Sequence, residues 1–159
     1  FFFALQCANP LLGYENVIYG DRDVKKLLII AAMVLAGCTT KPVETSVAKN
    51  VPGGRVFNKE IMESADNKGT VIVKRDSGHV GNACYSILYL DGKQIAYLDS
   101  AEKLIFYVPS GDHLIGAEPK GLCSGSLSEQ KIMVGAGKTQ TYRVGYDSGV
   151  IYGLRPTAF

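Results

Sequence analysis

The pair Asp91-Gly92, set between Tyr85-Ser86-Ile87-Leu88-Tyr89-Leu90 and Lys93-Gln94-Ile95-Ala96-Tyr97-Leu98, constrains this chain more than any other feature. A two-residue type I′ turn needs positive φ at both central positions, which Asp tolerates and Gly adopts freely, and the flanking runs are rich in strand-forming residues. The pair predicts an antiparallel hairpin with Asp91 and Gly92 at its tip. The same cadence continues along the chain, where Thr70 to Arg75, Lys103 to Val108, His113 to Glu118, Lys131 to Val134, Thr139 to Gly145 and Val150 to Arg155 read as further strands. Pro109-Ser110-Gly111-Asp112, Gly135-Ala136-Gly137-Lys138 and Asp147-Ser148-Gly149 separate them as turns. With no helical periodicity between them, these runs predict an all-β domain over residues 69–159, an antiparallel β-sandwich of about seven or eight short strands.

Upstream the pattern is different. Leu27-Leu28-Ile29-Ile30-Ala31-Ala32-Met33-Val34-Leu35-Ala36-Gly37-Cys38 follows directly on Lys25-Lys26. A cationic start, an apolar run of about 11 residues and small residues before a cut form a secretory signal, whereas a spanning helix needs about 20. Leu35-Ala36-Gly37-Cys38 resembles the lipobox of bacterial lipoproteins. That resemblance implies a signal peptide over 24–37, cleavage before Cys38, a diacylglycerol thioether on the Cys38 sulfur and acylation of its amino group, palmitate being the expected chain. Thr39, in place of the Asp that retains enterobacterial lipoproteins at the inner membrane, implies an outer-membrane address. The competing reading of the run is a buried core helix that ends in Gly-Cys.

Residues 1–23 carry Glu15, Asp21 and Asp23 ahead of the charged pair and do not suit a bacterial signal. They read as an upstream extension outside the true gene, with translation starting at Val24 from a GUG codon, the alternative being a genuine N-terminal extension with Phe1-Phe2-Phe3 in another apolar segment. Between the lipobox and the strands, Thr39 to Gly54 mixes Thr, Pro, Lys, Val and paired Gly without a clean period, so 38–68 is expected to be a lipidated tether. Asn58 to Ser64 offers a short helix with Asn58 as N-cap.

Seventeen Lys and Arg against 15 Asp and Glu leave a net charge of +2, too small a field to imply a nucleic-acid partner. Cys84 and Cys123 remain in the exported domain, where the compartment oxidises paired thiols, so a disulfide is expected across a loop of about 40 residues, with chain-entropy stabilisation of roughly 4 kcal/mol. Two buried free thiols are the alternative. His79 and His113 are the only histidines, and no C-x-x-C or H-x-x-x-H spacing accompanies them, so neither a metal nor another cofactor is expected. His113 is expected to pack at a strand start beside its Gly turn. Asp76, Ser77 and His79 supply acid, nucleophile and base types within four residues, without a G-x-S-x-G elbow. Gly137-Lys138-Thr139 ends like a phosphate loop, yet Ile132 stands where the leading Gly belongs and the segment joins two strands, so it reads as a hairpin turn.

Tyr89-Leu90-Asp91-Gly92-Lys93, Ala96-Tyr97-Leu98, Val108-Pro109-Ser110-Gly111-Asp112-His113 and Gly137-Lys138-Thr139 together resemble a family of small bacterial lipoproteins catalogued as a domain of unknown function. They also resemble surface-layer and carbohydrate-associated β-domains with a D-G-K hairpin and a P-G-x-H turn. The resemblance covers about Gly69 to Arg155 and implies an immunoglobulin-like or PEGA-like sandwich, with no reaction attached. The expected function is accordingly that of a lipid-anchored, non-enzymatic binding or scaffolding domain facing the periplasm, with the membrane and an envelope protein as partners. An envelope hydrolase using His79 or His113, and a docking component of a secretion or phage-derived envelope machine, are the alternatives. Aromatic placement discriminates: Tyr85, Tyr89, Tyr97, Tyr107, Tyr142, Tyr146 and Tyr152 form either a contact surface or the filling of the core.

Overall fold

The computed structural model describes residues 40–147 and 151–158. Cys38, the signal segment 24–37 and the extension 1–23 lie outside them. The strands run in the order β1 (Thr40–Lys41), β2 (Lys49–Asn50), β3 (Lys68–Arg75), β4 (Ser77–Gly78), β5 (Ser86–Leu90), β6 (Lys93–Leu98), β7 (Glu102–Pro109), β8 (Gly111–Pro119), β9 (Ser128–Val134), β10 (Thr139–Asp147) and β11 (Ile151–Pro156). They form a five-stranded sheet, β11-β10-β3-β7-β2, a four-stranded sheet, β6-β5-β8-β9, and the small pair β1-β4. This is the expected all-β sandwich. Alternate residues of β7, Leu104, Phe106 and Val108, meet Val71 and Val73 of β3 and Val144 of β10 in a core closed from the other sheet by Leu88, Ile95, Ile115 and Ile132. Strict alternation along β7 is what a strand with one buried face requires.

Several expectations are corrected. The sandwich is not purely antiparallel: β10 runs parallel to β3, from Thr139↔Thr70 to Val144↔Arg75, and β2 runs parallel to β7. Turn chemistry fixes the pairing of consecutive strands only, and β3 and β10 are separated by the whole four-stranded sheet, so no local signal reports on them. For the same reason Gly135 to Lys138 is not a hairpin turn but the corner by which the chain passes from β9 to β10 in the opposite sheet. Gly137 takes φ +67° there, and the corner is docked by Gly137 N–H on the Lys68 carbonyl at 2.9 Å. Gly69 of β3 lies so close beneath it that a Cβ would sit 2.4 Å from the Gly135 oxygen.

The tether expected over 38–68 is corrected too, because from Thr40 onward that segment is part of the fold. Val43, Ala48, Val56 and Ile61 are buried, and they stabilise the segment by taking apolar surface out of water, which a sequence without a period conceals. The helix expected at Asn58 shrinks to one 3-10 turn, Glu60–Met62, with the Asn58 side-chain oxygen accepting from Glu60 N at 3.1 Å. Residues 40–48 cross the outer face of the five-stranded sheet. Lys103, Lys74, Arg143 and Arg155 stand in register there across β7, β3, β10 and β11. Lys74 and Lys103 turn their ammonium groups to the Thr45 hydroxyl and carbonyl, at 3.2 and 2.5 Å, so the row of cations fastens the strap. Burial pulls the ionisation of Lys74 down, and the neighbouring Arg143 and Lys103 charges add to that.

The hairpin is as expected, with Asp91 at φ +50°, Gly92 at +74° and Leu90 opposite Lys93. Asp91 also has a second role that its turn position does not reveal. Its carboxylate accepts from Leu114 N at 2.9 Å and faces His113 Nδ1 at 2.7 Å, tying the hairpin tip to β8. Burial works against the charge of Asp91, but the Leu114 N–H and the His113 ring outweigh it and hold the carboxyl below its ordinary value. A carboxyl depressed on folding contributes stability above its unfolded pKa and loses that contribution as pH falls through the folded value. Asp91→Asn keeps the turn and removes the charge. Because the side chain is about half exposed, the expected loss is discounted to about 1 kcal/mol at pH 7. Urea unfolding of both proteins should show that gap closing between about pH 5 and 2.

Candidate binding surface

The structure sorts the tyrosines. Tyr142, Tyr146 and Tyr152 are buried in the core, where burial pushes the pKa of their hydroxyls up. Tyr85 and Tyr97 instead form a surface platform with Phe57. Tyr97 stands on the outer face of β6, opposite Ile87 of β5, at one edge of the four-stranded sheet. The segment before the 3-10 turn runs beside that edge: Val56 bridges to Ala96, and Phe57 N–H donates to the Ile95 carbonyl at 2.8 Å. This covers part of an edge that would otherwise present unpaired backbone groups. It also places the Phe57 ring edge-on to Tyr97, centroids 4.8 Å apart, while Tyr85 stacks on Tyr97 at 6.1 Å. Such pairs contribute roughly 0.5–1.5 kcal/mol beyond area burial, which orders rings that remain in contact with water.

Two cations flank the rings. Lys120 Nζ lies 3.7 Å from the Tyr97 centroid, and its backbone N–H donates to the Tyr85 carbonyl at 2.8 Å. The Lys120 ammonium, followed by Gln94, pulls the pKa of the Tyr97 hydroxyl down. Arg55 lies 5.0 Å from the Tyr85 centroid and is held by Glu102, Nη2 to Oε1 at 2.5 Å. Glu102 in turn accepts from Asp99 N at 2.7 Å, which fixes the β6 to β7 corner. Hydrogen bonding to Glu102 raises the ionisation of Arg55, the effect of burial running the other way. On the same sheet Tyr89 donates to Glu118, and that bond, with burial, pushes its hydroxyl up to about 12. Half-exposed rings bordered by cations make an amphipathic contact surface. Arg55 and Phe57 were missed by the sequence reading because their segment has no strand period.

Cys84 and Cys123 are bonded, with Cα atoms 6.2 Å apart and a separation of 39 residues. The bond pins the Gly/Ser-rich loop after β8 beside Tyr85. On the other side of that loop, Arg75, buried at the end of β3, donates to the carbonyls of Cys84, Gly81 and Leu98, the last at 2.9 Å. Gly81 is required where it stands, at φ +72° with the Tyr146 ring 2.4 Å from where a Cβ would be.

The residues that could have carried hydrolysis are not brought together. His79 is exposed in the loop after β4, whereas His113 lies at the far end of the sandwich between Asp91 and the Pro109 carbonyl, 3.0 Å from Nε2. Asp76 is buried against Arg143 Nη2 at 3.3 Å, and Ser77 donates to the Lys41 carbonyl. Burial raises the Asp76 carboxyl, with the Arg143 and Arg155 charges opposing. The depression lined by Val51, Met62, Lys103 and Tyr107 holds neither histidine. Among the described residues no cluster of three His, Cys, Asp or Glu side chains could hold a metal. No protein-family model matches the chain, and no curated protein matches it.

If the bond and Arg75 share the work of ordering this end, Cys84→Ser with Cys123→Ser should cost about 2–4 kcal/mol and leave the sandwich folded. Limited proteolysis should then cut first between Lys120 and Ser128, and unchanged resistance there would contradict the reading.

Proposed function

We propose that this chain is an envelope lipoprotein, anchored by lipid on Cys38 at the bacterial outer membrane, whose domain faces the periplasm and acts by binding or scaffolding without catalysis. The observation that carries the binding half is the platform of Phe57, Tyr97 and Tyr85 with Arg55 and Lys120 at its border. Tyr and Arg are enriched at protein contact surfaces because each offers apolar area and a polar handle at small entropic cost. The anchoring half rests on the Lys25-Lys26 start, the apolar run and Cys38, and on a first described strand that opens at Thr40, two positions after the cysteine. The scatter of His79, His113, Ser77 and Asp76 speaks against the hydrolase alternative.

Cell fractionation and intact mass test this reading. The native chain should be found in the outer membrane, cleaved before Cys38 and heavier by its acyl groups, whereas Cys38→Ala should be uncut or soluble. A photoreactive residue in place of Phe57 should crosslink to an envelope protein, and Tyr97→Ala should reduce that adduct by about tenfold while the domain stays folded. Equal membrane retention of Cys38→Ala contradicts the anchor, and an adduct indifferent to Tyr97→Ala contradicts the platform.

A further inference from the structure

The domain is not hung from its lipid on a long tether. Thr40 is already paired with Gly78, and its hydroxyl donates to the Tyr146 carbonyl. Only Thr39 lies between it and Cys38, so the two Cα atoms are at most about 7 Å apart when the chain is fully extended. Whatever holds Cys38 therefore holds this end of the sandwich close by.

That end is built to be rigid and is apolar where it protrudes. Leu122, in the loop after β8, is fully exposed beside the bonded Cys123, and Ile151, opposite Asp147 at the start of β11, is 66% exposed. Ser124 accepts from the Tyr146 hydroxyl at 2.6 Å, which fastens the Leu122 loop to the same strand that receives Thr40. Lys41, paired with Ser77 of β4 at this end, is exposed and supplies a cation. Apolar side chains with a lysine beside them suit an interfacial membrane contact, because the apolar groups enter the acyl boundary and the ammonium group remains at the headgroups.

We infer that the end of the sandwich formed by the β4–β5 and β8–β9 connections and the start of β11 rests on a phospholipid surface, with Leu122 and Ile151 at the headgroup–acyl boundary and Lys41 against anionic headgroups. This inference rests on the lipid attachment at Cys38 proposed above. It adds an orientation: the strands stand away from the bilayer and the Asp91-Gly92 tip points into the periplasm.

The chain contains no Trp, so one introduced Trp is a sole reporter. Leu122→Trp and Met133→Trp are made in the lipidated full chain and reconstituted in vesicles of phosphatidylethanolamine and phosphatidylglycerol with brominated acyl chains. Met133 is equally apolar and 73% exposed, but lies five positions along β9 from Ser128, about 17 Å further from the loop end. Emission of Leu122→Trp should fall by half or more and shift to the blue, while Met133→Trp should be unaffected. With lipid verified on Cys38 by mass, no quenching at Leu122→Trp, or equal quenching at both positions, overturns the inference and leaves the anchor standing. An unmodified Cys38 overturns both. A blue shift of Leu122→Trp with periplasmic proteins in the absence of vesicles would give this end to a protein partner and overturn the membrane contact.

Discussion

The buried guanidinium of Arg75 is the interaction on which the loop end of this sandwich depends. β3 is the central strand of the five-stranded sheet, and its inner face carries Val71, Val73 and then Arg75, so the apolar pattern ends in a cation. Desolvation works against that charge. No carboxylate bonds it directly. The carbonyls of Gly81, Cys84 and Leu98 do, and they belong to two different segments. A buried cation bonded by backbone oxygens, with the Asp99 and Glu102 charges favouring it from further off, is a costly arrangement, and here it fixes the path of a loop that has little apolar surface of its own.

From that point the arrangement spreads outward. With Cys84 held by Arg75, its bond to Cys123 carries order into the Gly/Ser-rich loop, and Lys120 is set over Tyr97. Leu98, the other end of the Arg75 clamp, is the neighbour of Tyr97 and closes the corner that Glu102 and Arg55 complete. The contact surface and the loops proposed to meet the membrane are thus products of one polar cluster. The strap over 40–48 follows a similar logic on the outer face, where the cations of β7 and β3 hold Thr45.

Much of the sheet content was legible in the sequence because strands joined by short turns announce themselves. Asp91-Gly92 did so through its positive-φ requirement, and all eight predicted runs became strands. What was not legible depends on partners distant in the chain. The parallel pairing of β3 with β10, the crossing of sheets at Gly135 to Lys138 and the folding of 40–68 onto the domain have no period and no turn signature of their own. Asp91 shows the same limit at the level of one side chain: its backbone role was readable from its neighbour Gly92, and its bonds to β8 were not. The candidate surface was half legible, since Tyr85 and Tyr97 stood out as strand aromatics while Arg55 and Phe57 lay in a segment that reads as a tether.

Hydrogen exchange of the native protein and Arg75→Met tests the central role of the guanidinium most directly. Methionine preserves much of the apolar stem and leaves the carbonyls without their donor, at a cost of about 1–3 kcal/mol for each that stays buried. Amide protection should fall in residues 79–85, 99–101 and 120–127 and persist in β7, β8 and the hairpin of β5 and β6. Unchanged protection in those three segments, or a loss spread evenly over both sheets, would contradict the account.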